Sequence, residues 1–373
     1  MVRVAFIYDD AVSRHVLRED HVMRPSRLRY TYELLEAYGA FSEPNSRLVP
    51  PRFATEEELA WFHTREYLEA VKSISQGDNK VDPSRYNFME NGDNPPYEGM
   101  YEASLLSTGA SLKAAELLLE GEVDVAFNAA GGLHHAMPDH ASGFCIFNDP
   151  VIAIQSLLRQ GLRVAYVDID AHHGDGVQHA FYDTDSVLTI SFHESGRFLF
   201  PGTGQVEEMG RGRGRGYAVN VPLAPYTEDQ QYLWAFGEVV PPLIAKFLPD
   251  ILVMQLGIDS HYLDPLTHLS LTTAGFVQLV RALVQLAPRR LALGGGGYDI
   301  GTVARAWTLA YGAMMEKEFP DDIPLSYQDS YGLKTLRDLE GPAIDAQARE
   351  AAWAFARDSV QRVHRLIFPL HGL

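Results

Sequence analysis

The chain is built from short runs of consecutive apolar residues that alternate with stretches of helical spacing. Six runs are rich in Val, Ile, Leu and Ala and lead into polar residues or glycine, which is typical of strands buried on both faces of a parallel sheet. The predicted strands are 2–8, 123–129, 162–169, 186–192, 250–257 and 290–296. Helical periodicity appears between them, and the predicted helices are 104–121, 149–161 and 273–287.

This alternation predicts the fold class. Strands and helices that alternate over the whole length favour a three-layer α/β/α fold around a mostly parallel central sheet. No change of composition marks a linker, so we expect a single domain over residues 1–373. Two long loops are predicted at 75–99 and 193–216, and loops of this length in a compact domain are usually functional.

Composition and charge narrow the class of protein. The chain has 373 residues, of which 46% are hydrophobic, and this is enough to bury a large core. Its 31 Lys and Arg against 49 Asp and Glu give a net charge of −18, which disfavours binding to nucleic acid or an anionic membrane. The stretch "RGRGRG" (211–216) lacks aromatic residues, so we interpret it as a flexible basic loop.

Cysteine usage and the N-terminus point to a cytoplasmic protein. Cys145 is the only cysteine, which excludes a disulfide within the chain and a cysteine-based zinc site. The apolar run at the N-terminus is too short for a signal peptide. No segment approaches the roughly 20 apolar residues of a membrane helix, so we expect a soluble protein.

Reactive side chains gather at the ends of four predicted strands. Half of the 14 histidines lie between His134 and His193. Ligands bind beyond the carboxyl ends of the strands in open α/β sheets, so we expect the loops after these strands to meet in one crevice. The four loops carry "LHH" (133–135), "DIDAHHGD" (168–175), "IDSH" (258–261) and "GGGGYD" (294–299).

The second loop predicts a metal site. Residues two apart in an extended chain point the same way, so Asp168, Asp170 and His172 can share a direction. With Asp259 as a third ligand, Asp170 and His172 make an oxygen and nitrogen set that leaves a position open for water and substrate. Either Zn²⁺ or Fe²⁺ suits such a set. The alternative is a hydrogen-bonded turn that caps the following helix.

The remaining loops predict acid–base chemistry. The adjacent His134 and His135 suit proton transfer near neutral pH, with Asp168 and Asp175 as available carboxylate partners. Tyr298 follows four glycines and can donate a hydrogen bond to a developing oxyanion. A glycine turn beside a core tyrosine is the alternative for this last loop.

Longer motifs resemble the class I-type histone deacetylase family, and in particular its bacterial branch, the acetoin utilisation type deacetylases. The motifs are "AGGLHHAMPDHASGFCIFND" (130–149), "VDIDAHHGDGVQHAFY" (167–182), "FPGTG" (200–204), "QLGIDSH" (255–261) and "GGGGY" (294–298). The resemblance covers about residues 5–320, whereas the C-terminal part, about 321–373 and expected to be helical, carries no such motif. It implies an arginase/deacetylase fold with a narrow tunnel that leads to zinc.

The resemblance also implies a role for each matching residue. The implied zinc ligands are Asp170, His172 and Asp259. The implied catalytic residues are His134, His135, Tyr298, Asp168 and Asp175. The implied substrate-binding residues are Asp93, Gly143, Phe144, Phe200 and Leu266. Two potassium sites are implied, one at Asp168, Asp170, His172, Ser191 and Phe192, and one at Phe181, Thr184, Val187 and Tyr217.

The implied activity is zinc-dependent hydrolysis of acetylated lysine side chains in proteins, and the bacterial branch suggests acyl-CoA synthetases as substrates. The alternatives are an acetylpolyamine deacetylase, a two-manganese ureohydrolase and a non-catalytic acetyl-lysine binding protein. Leu266 stands where a polyamine deacetylase would need an acidic residue, which favours a peptide substrate. Val22 replaces the proline usual at the rim, whereas Arg27 matches the internal arginine of the family. The oligomeric state is left open.

Overall fold

The computed structural model describes residues 1–14, 16–78 and 80–373. Within these ranges, eight strands form one sheet in which every pair of neighbouring strands is parallel. The strands are β1 (Val4–Ile7), β2 (Ser46–Val49), β3 (Val125–Asn128), β4 (Val164–Asp168), β5 (Val187–Glu194), β6 (Ala218–Leu223), β7 (Ile251–Gln255) and β8 (Arg290–Leu293). The predicted α/β class and all six predicted strands are confirmed.

The same ranges contain twelve α-helices. They are α1 (Ser26–Ala37), α2 (Glu56–Leu59), α3 (Arg65–Ser75), α4 (Met100–Leu119), α5 (Asp149–Leu158), α6 (Asp175–Phe181), α7 (Asp229–Phe247), α8 (Thr273–Leu283), α9 (Ile300–Met314), α10 (Leu325–Tyr331), α11 (Ala346–Leu366) and α12 (Phe368–His371). Helices α4, α5 and α8 correspond to the three predicted helices. Among the helices described, none combines the length and the apolar character needed to cross a membrane.

The sequence pattern misses β2 and β6, which form the two edges of the sheet. Strand β2 exposes its two central residues, so it lacks the continuous apolar run of a central strand. Strand β6 is buried, but Asn220 and Pro222 interrupt its apolar run. Proline has no N–H to give to a neighbouring strand, and it is tolerated at the edge of a sheet.

Strand order brings the reactive loops together. The order is β2-β1-β3-β8-β7-β4-β5-β6, so the four strands that precede the reactive loops are consecutive neighbours in the sheet. Asn128, Leu293, Gln255 and Asp168 lie in register across these four strands. The prediction that the carboxyl ends of these four strands meet on the same side of the sheet is therefore confirmed.

Alternate residues of the strands pack into two separate layers. In β1, Val4 and Phe6 join the apolar core under α1, α7, α8, α9 and α11. Ala5 and Ile7 join the core under α4 and α5 on the opposite face. This two-residue alternation is the geometry expected of a sheet covered on both faces, and it gives the three layers.

Two of the three arginines in the basic stretch 211–216 form ion pairs at the surface. Arg211 pairs with Asp183 at 2.7 Å, and Arg213 pairs with Asp185 at 2.8 Å. A short 3-10 helix, Gly212–Gly214, follows Arg211 and contains Arg213. The charges of Arg211 and Arg213 are therefore matched locally by Asp183 and Asp185 in the turn before β5.

The C-terminal part is helical, as expected, and one of its aspartates reaches the loop after β7. The Asp338 carboxylate accepts hydrogen bonds from His261 Nε2 at 2.9 Å and from the backbone N–H of Thr273 at 2.7 Å. Its other oxygen accepts a bond from Arg305 at 2.8 Å. All four residues are buried or nearly so. Asp338 therefore joins three elements that are distant in sequence.

Replacement of Asp338 by alanine should lower the free energy of unfolding by about 3 kcal/mol, because it leaves a buried arginine and a histidine N–H without their acceptor. Urea denaturation at pH 7 measures this loss. Asp329→Ala, at an exposed position of α10, is the matched control. A loss below about 1 kcal/mol for Asp338→Ala would show that the C-terminal part is not coupled to the loop after β7.

Candidate active site

Three buried side chains form a group that can hold a metal ion. Asp170, His172 and Asp259 each offer one ligand atom, and these atoms lie within 4.8 Å of one another. Asp170 and His172 follow β4, and Asp259 follows β7, which is the neighbour of β4. The parallel arrangement thus unites ligands that are almost 90 residues apart in the sequence.

Hydrogen bonds from the neighbouring chain fix these carboxylates. One oxygen of Asp170 accepts bonds from Gln255 Nε2 at 2.8 Å and from the backbone N–H of Gly296 at 2.7 Å. Asp259 Oδ1 accepts a bond from the N–H of Ala171 at 2.7 Å. These contacts hold the ligand atoms before any ion binds, which is how surrounding groups orient a metal site.

The electrostatics of the group fit a divalent cation. Burial raises the pKa of Asp259, and the charge of Asp170 adds to this and brings it to about 7. Burial lowers the pKa of His172, but hydrogen bonds to Asp170 and Asp259 outweigh this and hold it well above the usual range. The group without a metal thus retains a proton next to its carboxylates. A divalent cation can replace that proton, so these residues suit a metal centre.

Two histidine–aspartate pairs lie beside this group. His134 donates its Nδ1–H to Asp168 at 2.8 Å, and His135 donates its Nδ1–H to Asp175 at 2.7 Å. The two Nε2 atoms face each other at 3.0 Å. Because each Nδ1 proton is already given to a carboxylate, one additional proton must lie between the Nε2 atoms to make this contact favourable.

The charges assign that proton to His134. Burial lowers the pKa of His134, but Asp168 and Asp170 outweigh it and raise the pKa to about 9. Burial and the neighbouring charge of His134 lower the pKa of His135 to about 4. The pair therefore holds a charged His134 next to a neutral His135, and only the latter can accept a proton near pH 7.

The loop that carries the histidines is held by Asn148. Its side-chain amide donates to the carbonyl oxygens of His134 at 3.1 Å and Ala136 at 3.0 Å. Its backbone N–H donates to Nε2 of His63 at 3.0 Å. The side-chain oxygen of Asn148 also accepts the N–H of Val151 and so caps α5. This one residue therefore positions both α5 and the histidine loop.

Tyr298 enters the crevice at the end of the glycine run. Burial, together with the charges of Asp259 and Asp170, holds the pKa of the Tyr298 hydroxyl well above its usual range. The hydroxyl therefore stays protonated near neutral pH and can donate a hydrogen bond. A side chain at Gly296 would overlap the Asp259 carboxylate, so glycine is required there for the close approach of the chain.

Aromatic rings line the approach to the group. The Phe200 ring lies 5.0 Å from the ring of His135, and the Phe144 ring lies 5.7 Å from the ring of Tyr298. A side chain at Gly143 would overlap the ring of His135, so this backbone passes directly over the histidine. Phe200 is 43% exposed, which places it at the opening.

The predicted rim aspartate, Asp93, lies near the aromatic lining through its contact with His21. The Asp93 carbonyl oxygen lies 3.3 Å from Nε2 of His21, whose ring is 4.8 Å from the ring of Phe144. The Asp93 side chain is exposed, as is Val22 beside His21. Leu266 is half-buried in the loop that follows Asp259.

Some of the residues predicted to bind potassium are neighbours in the structure. Asp168 and Ser191 lie side by side in neighbouring strands. The N–H of Thr184 donates to the Phe181 carbonyl oxygen at 3.3 Å. Potassium binding itself stays a prediction.

Comparison with known proteins identifies the family. Residues 21–314 match the family model described as the histone deacetylase domain. The chain belongs to the histone deacetylase family. It is 43% identical over 309 residues to the acetoin utilization protein AcuC of Bacillus subtilis, and the alignment covers 81% of this chain and 79% of AcuC. It is 40% identical over 333 residues to human histone deacetylase 1, which covers 88% of this chain and 67% of that protein.

Solved structures of histone deacetylase homologues share the fold. A homologue from Aquifex aeolicus superimposes with a TM-score of 0.85 at 31% identity and covers 96% of this chain and 100% of its own. A homologue complexed with SAHA gives a TM-score of 0.86 at 31% identity, with 95% and 100% coverage. The three-layer fold is therefore the arginase/deacetylase fold that the resemblance implies.

Sequence reasoning missed several residues that support this deacetylase site. Gln255, His63 and Asn148 hold ligands or loops through contacts between residues far apart in the chain. Gln255 and Asn148 do lie inside motifs, in "QLGIDSH" and "CIFND" respectively. The position of Gln255 directly before the reactive loop that follows β7 is the sequence feature that could have drawn attention to it.

His63 should make the stability of this family member depend on pH. Burial lowers the pKa of His63 to about 3. Below about pH 6.5, His63 therefore binds a proton in the unfolded chain but stays neutral in the folded protein. Stability should therefore fall as the pH falls from 7 to 5, and His63 should contribute about 2 kcal/mol of that loss.

The measurement is urea denaturation of the wild-type protein and of His63→Gln, which removes the titrating group and keeps an acceptor for Asn148. The wild type should lose about 2 kcal/mol more than the variant between pH 7 and 5. Both should behave alike between pH 7 and 8, where neither state of His63 takes up a proton. Parallel curves below pH 6 would contradict the assignment.

Proposed function

We propose that this protein hydrolyses the acetyl amide of acetylated lysine side chains in other proteins, with Zn²⁺ held by Asp170, His172 and Asp259. One observation carries the proposal. This group shares a crevice with a neutral histidine, a charged histidine and a protonated tyrosine. Many hydrolases use a divalent ion, but this combination supplies a base, an electrostatic partner and an oxyanion donor for acyl transfer to water. Membership of the histone deacetylase family supports the same reaction class.

His135 is the proposed proton-transfer residue. An amide carbonyl is a poor electrophile, and a bound divalent ion would polarise it and acidify water. His135 has the lower pKa of the two histidines, so it takes a proton from the attacking water. It then gives that proton to the lysine nitrogen as the C–N bond breaks, which releases acetic acid and a neutral amine. The acid then passes its proton to the amine in water, so that acetate and a lysine ammonium group result.

His134 and Tyr298 stabilise the negative charge that develops in the reaction, and neither acts as the base. His134 keeps its proton through Asp168, and it orients the water and balances the negative charge that develops. Tyr298 stays protonated and donates to the oxyanion of the tetrahedral intermediate. Asp175 behind His135 stabilises the positive charge that His135 carries between the two proton transfers.

The lining of the approach suits an acetylated lysine. Phe144 and Phe200 provide apolar walls, and each methylene of the lysine stem buried between them contributes about 0.8 kcal/mol. An acetylated lysine is neutral, so its entry costs far less than that of a free ammonium group. We assign the Gly143 carbonyl to the substrate amide N–H, and the exposed Asp93 to the substrate backbone.

Other chemistry on the same fold is less well supported. A polyamine deacetylase needs an acidic residue at the mouth to hold a cationic chain, and Leu266 occupies that place. A ureohydrolase needs two metal ions, whereas the described part of the chain contains one group of three such ligands. A protein that only binds acetyl-lysine has no need of an oxyanion donor.

The finer assignments belong to the same proposal. Acyl-CoA synthetases are the proposed protein substrates, and the cytoplasm is the proposed location. Fe²⁺ can replace Zn²⁺ on the same ligands. Potassium at the two predicted sites would brace the strand ends.

Tyr298→Phe should lower kcat by about 10²–10³ because it removes one hydrogen bond to the oxyanion. Metal content and thermal stability should stay at wild-type values, since the hydroxyl is not a ligand. The assay uses an acetyl-lysine peptide alongside acetylspermidine, and the peptide should be the better substrate. Tyr226→Phe, an exposed tyrosine, is the control. Full activity of Tyr298→Phe would remove this residue from the mechanism.

Asp259→Asn should lower the metal content and abolish the rise in Tm that Zn²⁺ gives to the chelator-treated protein, because one of three ligands is lost. Elemental analysis and thermal unfolding with and without Zn²⁺ measure these effects. Asp250→Asn, at the opposite end of β7, is the matched control. One metal ion per chain in Asp259→Asn would refute the ligand set.

A further inference from the structure

The position of Tyr298 needs an explanation, because the four residues before it are glycines. Gly295 has a φ of 121° and Gly297 has a φ of 137°, a region that other residues rarely adopt. Glycine backbone is free to take many conformations, so this run cannot by itself hold the tyrosine in one place. Contacts from outside the run must therefore do so.

Both sides of the peptide group that joins Gly297 to Tyr298 are held by buried side chains. The Gly297 carbonyl oxygen accepts a hydrogen bond from Arg27 at 2.9 Å. The N–H of Tyr298 donates to Asp264 Oδ2 at 2.8 Å. Two bonds on opposite sides fix the plane of this peptide group, and the plane sets the direction in which the Tyr298 side chain leaves the backbone.

Asp264 connects this peptide group to the loop that follows Asp259 and carries Leu266. Its second oxygen accepts the N–H of Leu266 at 2.9 Å, and its own N–H donates to the His261 carbonyl oxygen at 2.9 Å. The same loop is held at Thr267, whose hydroxyl donates to the Asp259 carbonyl oxygen. Asp264 therefore contacts both the backbone of Tyr298 and the loop that follows the ligand Asp259.

We propose that Asp264 is a positioning residue for the reaction, which places the Tyr298 hydroxyl by holding the N–H of the Gly297–Tyr298 peptide group. The proposal rests on the proposed function, because it assigns Asp264 an effect only through the oxyanion donor. Asp264 also links the backbone of Tyr298 to that of Leu266, so the distance between Leu266 and the catalytic hydroxyl stays fixed.

A carboxyl group suits this position because each of its two oxygens receives one backbone N–H. Burial and the charge of Asp259 raise the pKa of Asp264 to about 8, and the two N–H donors act against this. Both oxygens can accept a hydrogen bond whether or not the carboxyl carries a proton. The holding contacts therefore do not depend on its ionisation.

The test is a double-mutant cycle between Asp264→Ala and Tyr298→Phe, with kcat, KM and metal content measured for an acetyl-lysine peptide. In the protein that keeps Tyr298, Asp264→Ala should lower kcat about 10–100-fold with metal content unchanged. In the Tyr298→Phe background, the same change should lower kcat less than about threefold, because no hydroxyl remains to be misplaced. Pro265→Ala, at an exposed position in the same loop, is the control.

The outcomes separate the two proposals. Equal losses in both backgrounds would overturn the positioning role, because general damage to the site does not depend on the hydroxyl. Full activity of Tyr298→Phe alone would overturn the role of Tyr298, and that of Asp264 with it. If Asp264→Ala does not fold, Asp264→Asn keeps the size and one accepting oxygen. It should then show a smaller kcat loss, which again should disappear in the Tyr298→Phe background.

Discussion

Burial of several carboxylates at the carboxyl ends of the central strands is the constraint on which the rest of the site depends. Asp168, Asp170 and Asp259 are each at most 1% exposed, and buried charge is costly unless hydrogen bonds and opposite charges surround it. The surrounding loops meet this need with backbone N–H groups, histidines and an amide side chain. A side chain at Gly257 would overlap Asp170. Glycine is therefore needed where the backbone passes this close to the carboxylate.

The same constraint explains the opposite behaviour of the two histidines. Each donates to an aspartate, but His134 lies nearer to a second carboxylate, Asp170, at 3.9 Å. It therefore becomes the charged member of the pair, and its charge keeps His135 neutral. The difference in charge between the two histidines thus arises from the carboxylates around His134, Asp168 first and then Asp170, and not from any difference between the two residues themselves.

Much of the fold and the centre of the site could be predicted from the sequence. Central strands such as β4 and β7 are buried on both faces and leave continuous apolar runs, and their positions in one parallel sheet then bring Asp170 and Asp259 together. Family resemblance extended this to Phe144 and Phe200.

The rest of the site could not be predicted, because it depends on contacts between distant residues. The edge strands lack an apolar run, and the hydrogen bond that the Asn148 N–H donates to His63 joins residues 85 apart. Asp264 stands two residues from Leu266 in "YLDPLTH", yet nothing local shows that it reaches the N–H of Tyr298. Asp338 lies in a part of the chain without motifs, and only the packing of that part onto the sheet reveals its partners.

Strand order also has a consequence for how the protein is made. Strand β8 lies in the middle of the sheet but is the last strand to leave the ribosome. Until it appears, the other strands can pair only as β2-β1-β3 and β7-β4-β5-β6, which leaves β3 and β7 each with an unpaired edge. Unpaired apolar edges promote aggregation, so the nascent chain is most vulnerable just before β8 emerges. The insertion of β8 closes both edges, and the glycine run and tyrosine that follow it complete the catalytic crevice.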